Sequence, residues 1–173
     1  MKVLFRIIVA TIFCLIVISV ITYGQVKRTW TGSVSNDWCT PGNWNPVGAP
    51  TSNDTAVINS GTPTFSCTSA GIKVLILTGG TLSGDSTLTI SGTFNWSGGT
   101  MTGTGMTVVD TGGSVNITSG VSKTLNGRTL TLRSSVTTVC TGSFTMSNGA
   151  VLANWGTLNI QADINIWTSG SPS

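Results

Sequence analysis

Short alternations of apolar and polar residues, broken by glycine at near-regular intervals, constrain this chain more than any other feature. From Ile72 onward the segments IKVLIL, STLTI, TFNW, MTVV, SVNI, TLTL, SFTM, AVL, TLNI and INI follow one another with no stretch long enough for a helix. Alternation of period two marks strands that bury one face. Thr93–Trp96, Ser114–Ile117 and Ser135–Thr138 stand 21 residues apart, and Thr87–Ile90 recurs at Thr129–Leu132, twice that distance on, with Val108 at the apolar site between them. A unit of about 20 residues, with two or three inward side chains per strand, cannot close a core alone, whereas stacked units can. The spacing therefore predicts an all-β chain: a right-handed parallel β-helix, or β-solenoid, with coils of about 21 residues. Gly79-Gly80, Gly98-Gly99 and Gly112-Gly113 would turn corners that need positive φ. The alternative is an antiparallel β-sandwich, since the same glycine-containing gaps also serve as hairpin loops.

Residues 25–71 differ in style. They hold Trp30, Trp38 and Trp44, four of the five prolines and two of the five acids, with one clear strand at Thr55–Asn59. This reads as a Trp- and Pro-rich N-terminal cap. A set of tryptophans invites sugar stacking on their faces, but irregular spacing among Gly, Pro and Asn favours rings that anchor turns. The expected organisation is a signal peptide at 1–24, the cap at 25–71, solenoid repeats at 72–168 and a disordered tail at 169–173.

Lys2 and Arg6 precede a run from Ile7 to Tyr23 that is almost wholly apolar, the pattern of a secretory signal. Thr22 and Gly24 place small residues before a cut at Gln25. An uncleaved membrane anchor over residues 7–26 is the alternative, because that uncharged run is as long as a helix that spans a bilayer. Both readings export the rest of the chain, to a secreted or cell-surface location. Cys39, Cys67 and Cys140 then meet an oxidising compartment that permits a disulfide. Cys39 with Cys67 is the favoured pair, because Cys140 sits among the later repeats. Removing residues 1–24 takes Lys2 and Arg6 from eight cations, which leaves six against five acids, a net of +1. No patch suited to nucleic acid remains.

The chain has no His, and all five acids are Asp. Catalytic triads, His-based zinc sites and Glu acids therefore lack a member. An enzyme would have to draw on Asp37, Asp54, Asp85, Asp110, Asp163, Lys123, Arg128 and Arg133, yet the Asp spacings do not keep the repeat register. No catalytic activity, cofactor or metal is expected. Thr (30), Ser (21) and Gly (22) make about two fifths of the 173 residues. Thr87-x-Thr89, Thr100-x-Thr102-x-Thr104 and Thr129-x-Thr131 could order water at an ice surface, although Thr107-Val108-Val109 interrupts the row.

The stretch TWTGSVSNDWCTPGNWNPVGAPTSNDTAVI, followed by GGTLSGDSTLTISGTFNWSGGTMTGTG and NGRTLTL, resembles secreted, repeat-containing, adhesin-like β-solenoid surface proteins of Bacteroidetes-type bacteria. The resemblance covers nearly all of the chain after residue 24. It implies a structural or adhesive module that binds through extended faces, with carbohydrate or other cell-surface and matrix components as partners. A carbohydrate-binding or polysaccharide-acting β-helix is the alternative. The resemblance also implies O-glycosylation after Asp, which Thr55 and Ser86 fit. The strand pattern still runs at Asn165-Ile166-Trp167, which suggests self-association through an open C-terminal solenoid end.

Overall fold

A computed structural model describes residues 24–67, 70–118, 120–161 and 166–169. The expected signal segment, apart from Gly24, and residues 170–173 of the expected tail lie outside the described residues. The strands are β1 Lys27–Trp30, β2 Trp44–Asn45, β3 Thr55–Ile58, β4 Ala70–Leu77, β5 Thr81–Leu82, β6 Thr87–Trp96, β7 Gly99–Thr102 and β8 Met106–Val109. They continue as β9 Ser114–Ile117, β10 Lys123–Asn126, β11 Thr129–Leu132, β12 Thr137–Cys140, β13 Phe144–Ser147, β14 Val151–Asn154, β15 Thr157–Ile160 and β16 Ile166–Ser169. A 3-10 turn at Pro41–Asn43 is the one helical element among the described residues.

Every strand pair except β1 with β2 is parallel, which excludes the sandwich. The chain is a β-solenoid with three faces. Face A stacks the first halves of β4 and β6 with β8, β11 and β14. Face B stacks β3, the second halves of β4 and β6, then β9, β12 and β15. Face C stacks β5, β7, β10, β13 and β16. Inward residues lie over one another from turn to turn, as in Leu75, Phe94 and Val115 on face B, so one continuous apolar core runs from Trp30 to Phe144.

The turns are not of equal length. Ala70 pairs with Leu88 18 residues on, whereas Gly99 pairs with Lys123 24 residues on and Lys27 with Thr55 28 residues on. Thr93 pairs with Ser114, as a constant repeat requires, but Ser114 pairs with Thr137. The third member of the expected series therefore starts at Thr137 and not at Ser135. The corner is responsible. Only Ser97 and Gly98 connect β6 to β7, whereas the longer segment 118–122 connects β9 to β10. Thr87 and Thr129 do share a column, through Met106, with a short step followed by a long one. That inequality places Thr107 between Leu88 and Leu130 in the core, where a constant step of 21 would put Val109, and moves Val108 from the Thr87 and Thr129 column to that of Thr89 and Thr131.

Glycine turns the corners where a side chain has no room. Gly80 and Gly99 have φ of +69° and +85°, and a Cβ on Gly99 would come within 2.8 Å of Gly79 backbone atoms in the turn before. Positive φ combined with backbone packed against backbone leaves glycine as the residue that fits.

Stacking begins earlier than residue 72. β3 pairs with β1 on one side and β4 on the other, and Thr64 bridges Ser83, so the first turn lies inside the stretch assigned to the cap. There Trp30, Trp44, Trp38 and Phe65, in that order, close the solenoid in a chain of edge-on rings with centroids 5.2, 4.6 and 5.4 Å apart. Asn43 is fully buried and fully paired: its Oδ1 accepts from the N–H groups of Val34 and Ser35, and its Nδ2 donates to Ser35 Oγ and the Asp37 carbonyl. Cys39 and Cys67 form a disulfide, with Cα atoms 6.1 Å apart.

The interior also holds cations. Arg128, with no exposed surface, follows Gly127 at a corner and reaches back along the axis. Its Nε donates to Thr107 Oγ1 (2.9 Å), Nη1 to the Gly84 and Thr102 carbonyls (3.0 and 3.2 Å), and Nη2 to those of Ser86 and Met106 (3.3 and 3.0 Å). No carboxylate is among these partners. Burial pushes the guanidinium down to about 10, which leaves it charged at neutral pH. Lys123 also points inward, with one long bond from Nζ to the Val121 carbonyl at 3.4 Å.

Candidate functional site

Face C carries the most regular surface. Leu82, Met101, Leu125 and Met146 point into the core, so the alternate positions face outward. Thr81, Thr100, Thr124 and Thr145 are in register on consecutive strands and form an unbroken column. Neighbouring members are about 4.7–4.9 Å apart, the spacing of paired strands. All four are half-buried, and among the described residues their hydroxyls have no hydrogen-bond partner within the protein. Thr102, Asn126 and Ser147 lie two residues further along the same strands. That second row is partly self-satisfied, since Ser147 Oγ and Asn148 Nδ2 both donate to Asn126 Oδ1 at 3.3 and 2.6 Å. The outward positions of β5, β7, β10 and β13 include no charged residue.

The other faces differ. On face B, Thr93 and Ser114 hydrogen-bond each other at 3.1 Å, and Asn116 Nδ2 donates to Asn95 Oδ1 at 2.8 Å, so outward polar groups are used internally. On face A the Thr87 and Thr129 column contains Met106, and the Thr89 and Thr131 column contains Val108. The expected Thr rows therefore split: Thr87, Thr89, Thr129 and Thr131 belong to interrupted columns, and only Thr100 and Thr102 belong to the continuous face.

Several expected site residues fall elsewhere. Trp30, Trp38 and Trp44 are 4%, 0% and 1% exposed, so their faces cannot stack on a glycan, and they act as cap anchors. Trp155 is instead 76% exposed, with Val151, Ile160 and Ile166 also exposed on the last described turn. Nothing in the sequence distinguished Trp155 from a core residue. Thr55 is buried, and its Oγ1 accepts from Gln25 Nε2, so the folded chain does not offer it for O-glycosylation. Ser86 is half-buried, its hydroxyl donating to Asp85 at 3.4 Å.

The acids are dispersed. Asp37 accepts from Cys39 N–H, Thr40 Oγ1 and Ser66 Oγ, bonds that outweigh burial and hold its carboxyl below the ordinary value. Burial raises Asp54, but bonds from Thr51, Val26 and Arg28 outweigh it and hold that carboxyl low as well. Asp110 pairs with Arg133 at 3.1 Å on the surface. Asp163 lies outside the described residues. Lys123 and Arg128 are core groups, and the described residues contain no cluster of three metal-ligating side chains. No helix among the described residues is long and apolar enough to cross a membrane. No known protein family matches the chain, and neither the curated proteins nor the solved structures contain a match.

Proposed function

We propose that the protein is an exported, non-catalytic module, structural or adhesin-like, that binds an extended cell-surface or matrix component through face C. The observation that carries this reading is the column Thr81, Thr100, Thr124 and Thr145, whose four hydroxyls lack partners among the described residues on a face without charge. A flat repeating row fits a long partner better than a small one, because each turn repeats the contact of the last. The Cys39–Cys67 disulfide supports an oxidising location. Binding of the purified protein to glycan arrays and matrix-coated surfaces tests the reading. Thr100→Lys with Thr124→Lys should lower affinity at least tenfold, while Thr137→Lys on face B leaves it intact. Equal loss from both faces would remove face C from the account.

Ordering of water at an ice surface is a second reading that the same column favours, since it repeats a hydroxyl and a methyl at one spacing. Thermal hysteresis that disappears in the Thr100 and Thr124 variant would select it over a polymeric partner.

A further inference from the structure

The residues just before β1 are already tied to the fold. Val26 N–H donates to Asp54 Oδ1 at 3.0 Å, Thr55 N–H donates to the Val26 carbonyl at 2.9 Å, and Gln25 Nε2 donates to Thr55 Oγ1 at 2.8 Å. Gly24, one residue earlier, is exposed, and a Cβ placed on it would meet nothing within 4 Å. Among the described residues, engagement starts just after the bond that Thr22 and Gly24 mark for cleavage. Beside it lies a cavity of about 360 Å³ lined by Gly24, Val26, Arg28, Thr51, Asn53 and Asp54.

The Asp54 carboxylate is unevenly loaded. Oδ2 accepts from Arg28 Nε (3.3 Å), Thr51 N–H (2.9 Å) and Thr51 Oγ1 (2.9 Å). Oδ1 accepts from Val26 N–H alone among the described residues, so it keeps a free lone pair. The Gln25 nitrogen is one residue back. Bond lengths put it no more than about 4 Å from the Val26 nitrogen, hence within about 7 Å of Oδ1. Rotation about the Gln25 Cα–C bond can shorten that distance.

We propose that hydrolysis of the Gly24–Gln25 bond releases an α-ammonium that pairs with Asp54 Oδ1 in this cavity, so that removal of the export segment locks the cap. The inference rests on the export reading above. Water adds across the amide: Gly24 leaves as a carboxylate with the segment before it, and the Gln25 amine takes up the proton. The charged groups facing the new ammonium are Asp54 and, on β1, Arg28. Lys27 on β1 is exposed, and the Lys73 side chain on β4 runs over Gly92 instead. A carboxylate this near raises an amine above its usual range of about 7.7–8.0. The stability it confers is full below that range and is lost as pH rises through the raised value.

The test uses the full chain expressed in an exporting bacterium, beside one with Gly-Ser inserted between Gly24 and Gln25. Both should be cut after Gly24, and the insertion moves the ammonium two residues away from Asp54. N-terminal sequencing and intact mass should show Gln25 first in the parent, without loss of ammonia. The parent's folding equilibrium constant should exceed that of the insertion chain about tenfold at pH 7, and the difference should vanish by pH 10. Equal stability at pH 7, a cut elsewhere, or a Gln25 cyclised with loss of ammonia overturns the lock while leaving export standing. A chain recovered uncut overturns the lock and contradicts the cleaved form of export.

Discussion

Replacing Arg128 with Met should be the most damaging single change in the solenoid interior. Methionine keeps much of the aliphatic volume but removes five hydrogen bonds from a group with no exposed surface. Bonds from a charged donor contribute about 1.5–3 kcal/mol each, a gross of about 8–15 kcal/mol. Two effects reduce this. Desolvating the guanidinium costs several kcal/mol. The carbonyls of Gly84 and Ser86 also keep their bonds from Gly105 N–H and Met106 N–H, at 3.1 and 3.4 Å. A net loss of about 3–5 kcal/mol remains, since each buried neutral acceptor left without a donor costs about 1–3 kcal/mol. A parent stability above about 5 kcal/mol, in the usual range of about 5–15 kcal/mol, leaves the variant folded. With an m-value of about 1–3 kcal/mol/M, the urea midpoint should fall by about 1–5 M. Arg128→Lys should recover less than half of this, because one ammonium cannot place donors on two nitrogens facing two earlier turns. Circular dichroism in urea reads both variants. A midpoint shift below about 0.3 M for Arg128→Met, or a Lys variant as stable as the parent, would refute the latch.

Lys123→Met should stabilise the chain by about 1–2 kcal/mol at pH 7, because burial pushes the lysine amine down and a buried charge with one long bond is a net cost. With the folded value below the unfolded one, parent stability should rise as pH climbs from the folded value towards about 10.4, and the Met variant should lack that rise in urea titrations. Replacing Cys39 and Cys67 with Ser opens a loop whose ends are 28 residues apart, which should lower stability by about 3–4 kcal/mol by chain entropy, measured under oxidising conditions and matched in the parent by a reductant.

The solenoid was legible because faces A and B alternate strongly. TFNW, SVNI, TLTL and TLNI announce themselves by β-branched and aromatic residues on a period of two. Face C was largely hidden. Its strands Thr81–Leu82, Gly99–Thr102 and Lys123–Asn126 offer one clear apolar side chain each, flanked by glycine or an inward lysine, too little for periodicity to register. The face with the best candidate surface was thus the one the pattern missed. Unequal corners hid more. A constant 21-residue step puts Val109 between Leu88 and Leu130, whereas the actual short and long steps put Thr107 there, and only then does a buried Arg128 have a side-chain acceptor. Burial of Trp30, Trp38 and Trp44 followed from their setting among turns, but the exposure of Trp155 depends on a corner position that no local signal encodes.

These departures from regularity gather in one turn of the solenoid. The connection 118–122 is longer than the equivalent ones at 97–98 and 141–143, Lys123 follows it, and in β12 Thr138 Oγ1 is buried without a partner among the described residues. Because each turn of a solenoid contacts only its neighbours, a weak turn in the middle would divide the stack into two halves that open separately. Arg128 lies in this same turn, yet its donors reach Thr102, Met106 and Thr107 one turn back and Gly84 and Ser86 two turns back. The guanidinium therefore couples the irregular turn to two regular ones that backbone pairing alone would link only in sequence. This explains why a cation without a counter-ion is placed in an otherwise apolar interior: it joins its own turn to acceptors on two earlier ones, and no apolar side chain of that length could make those bonds.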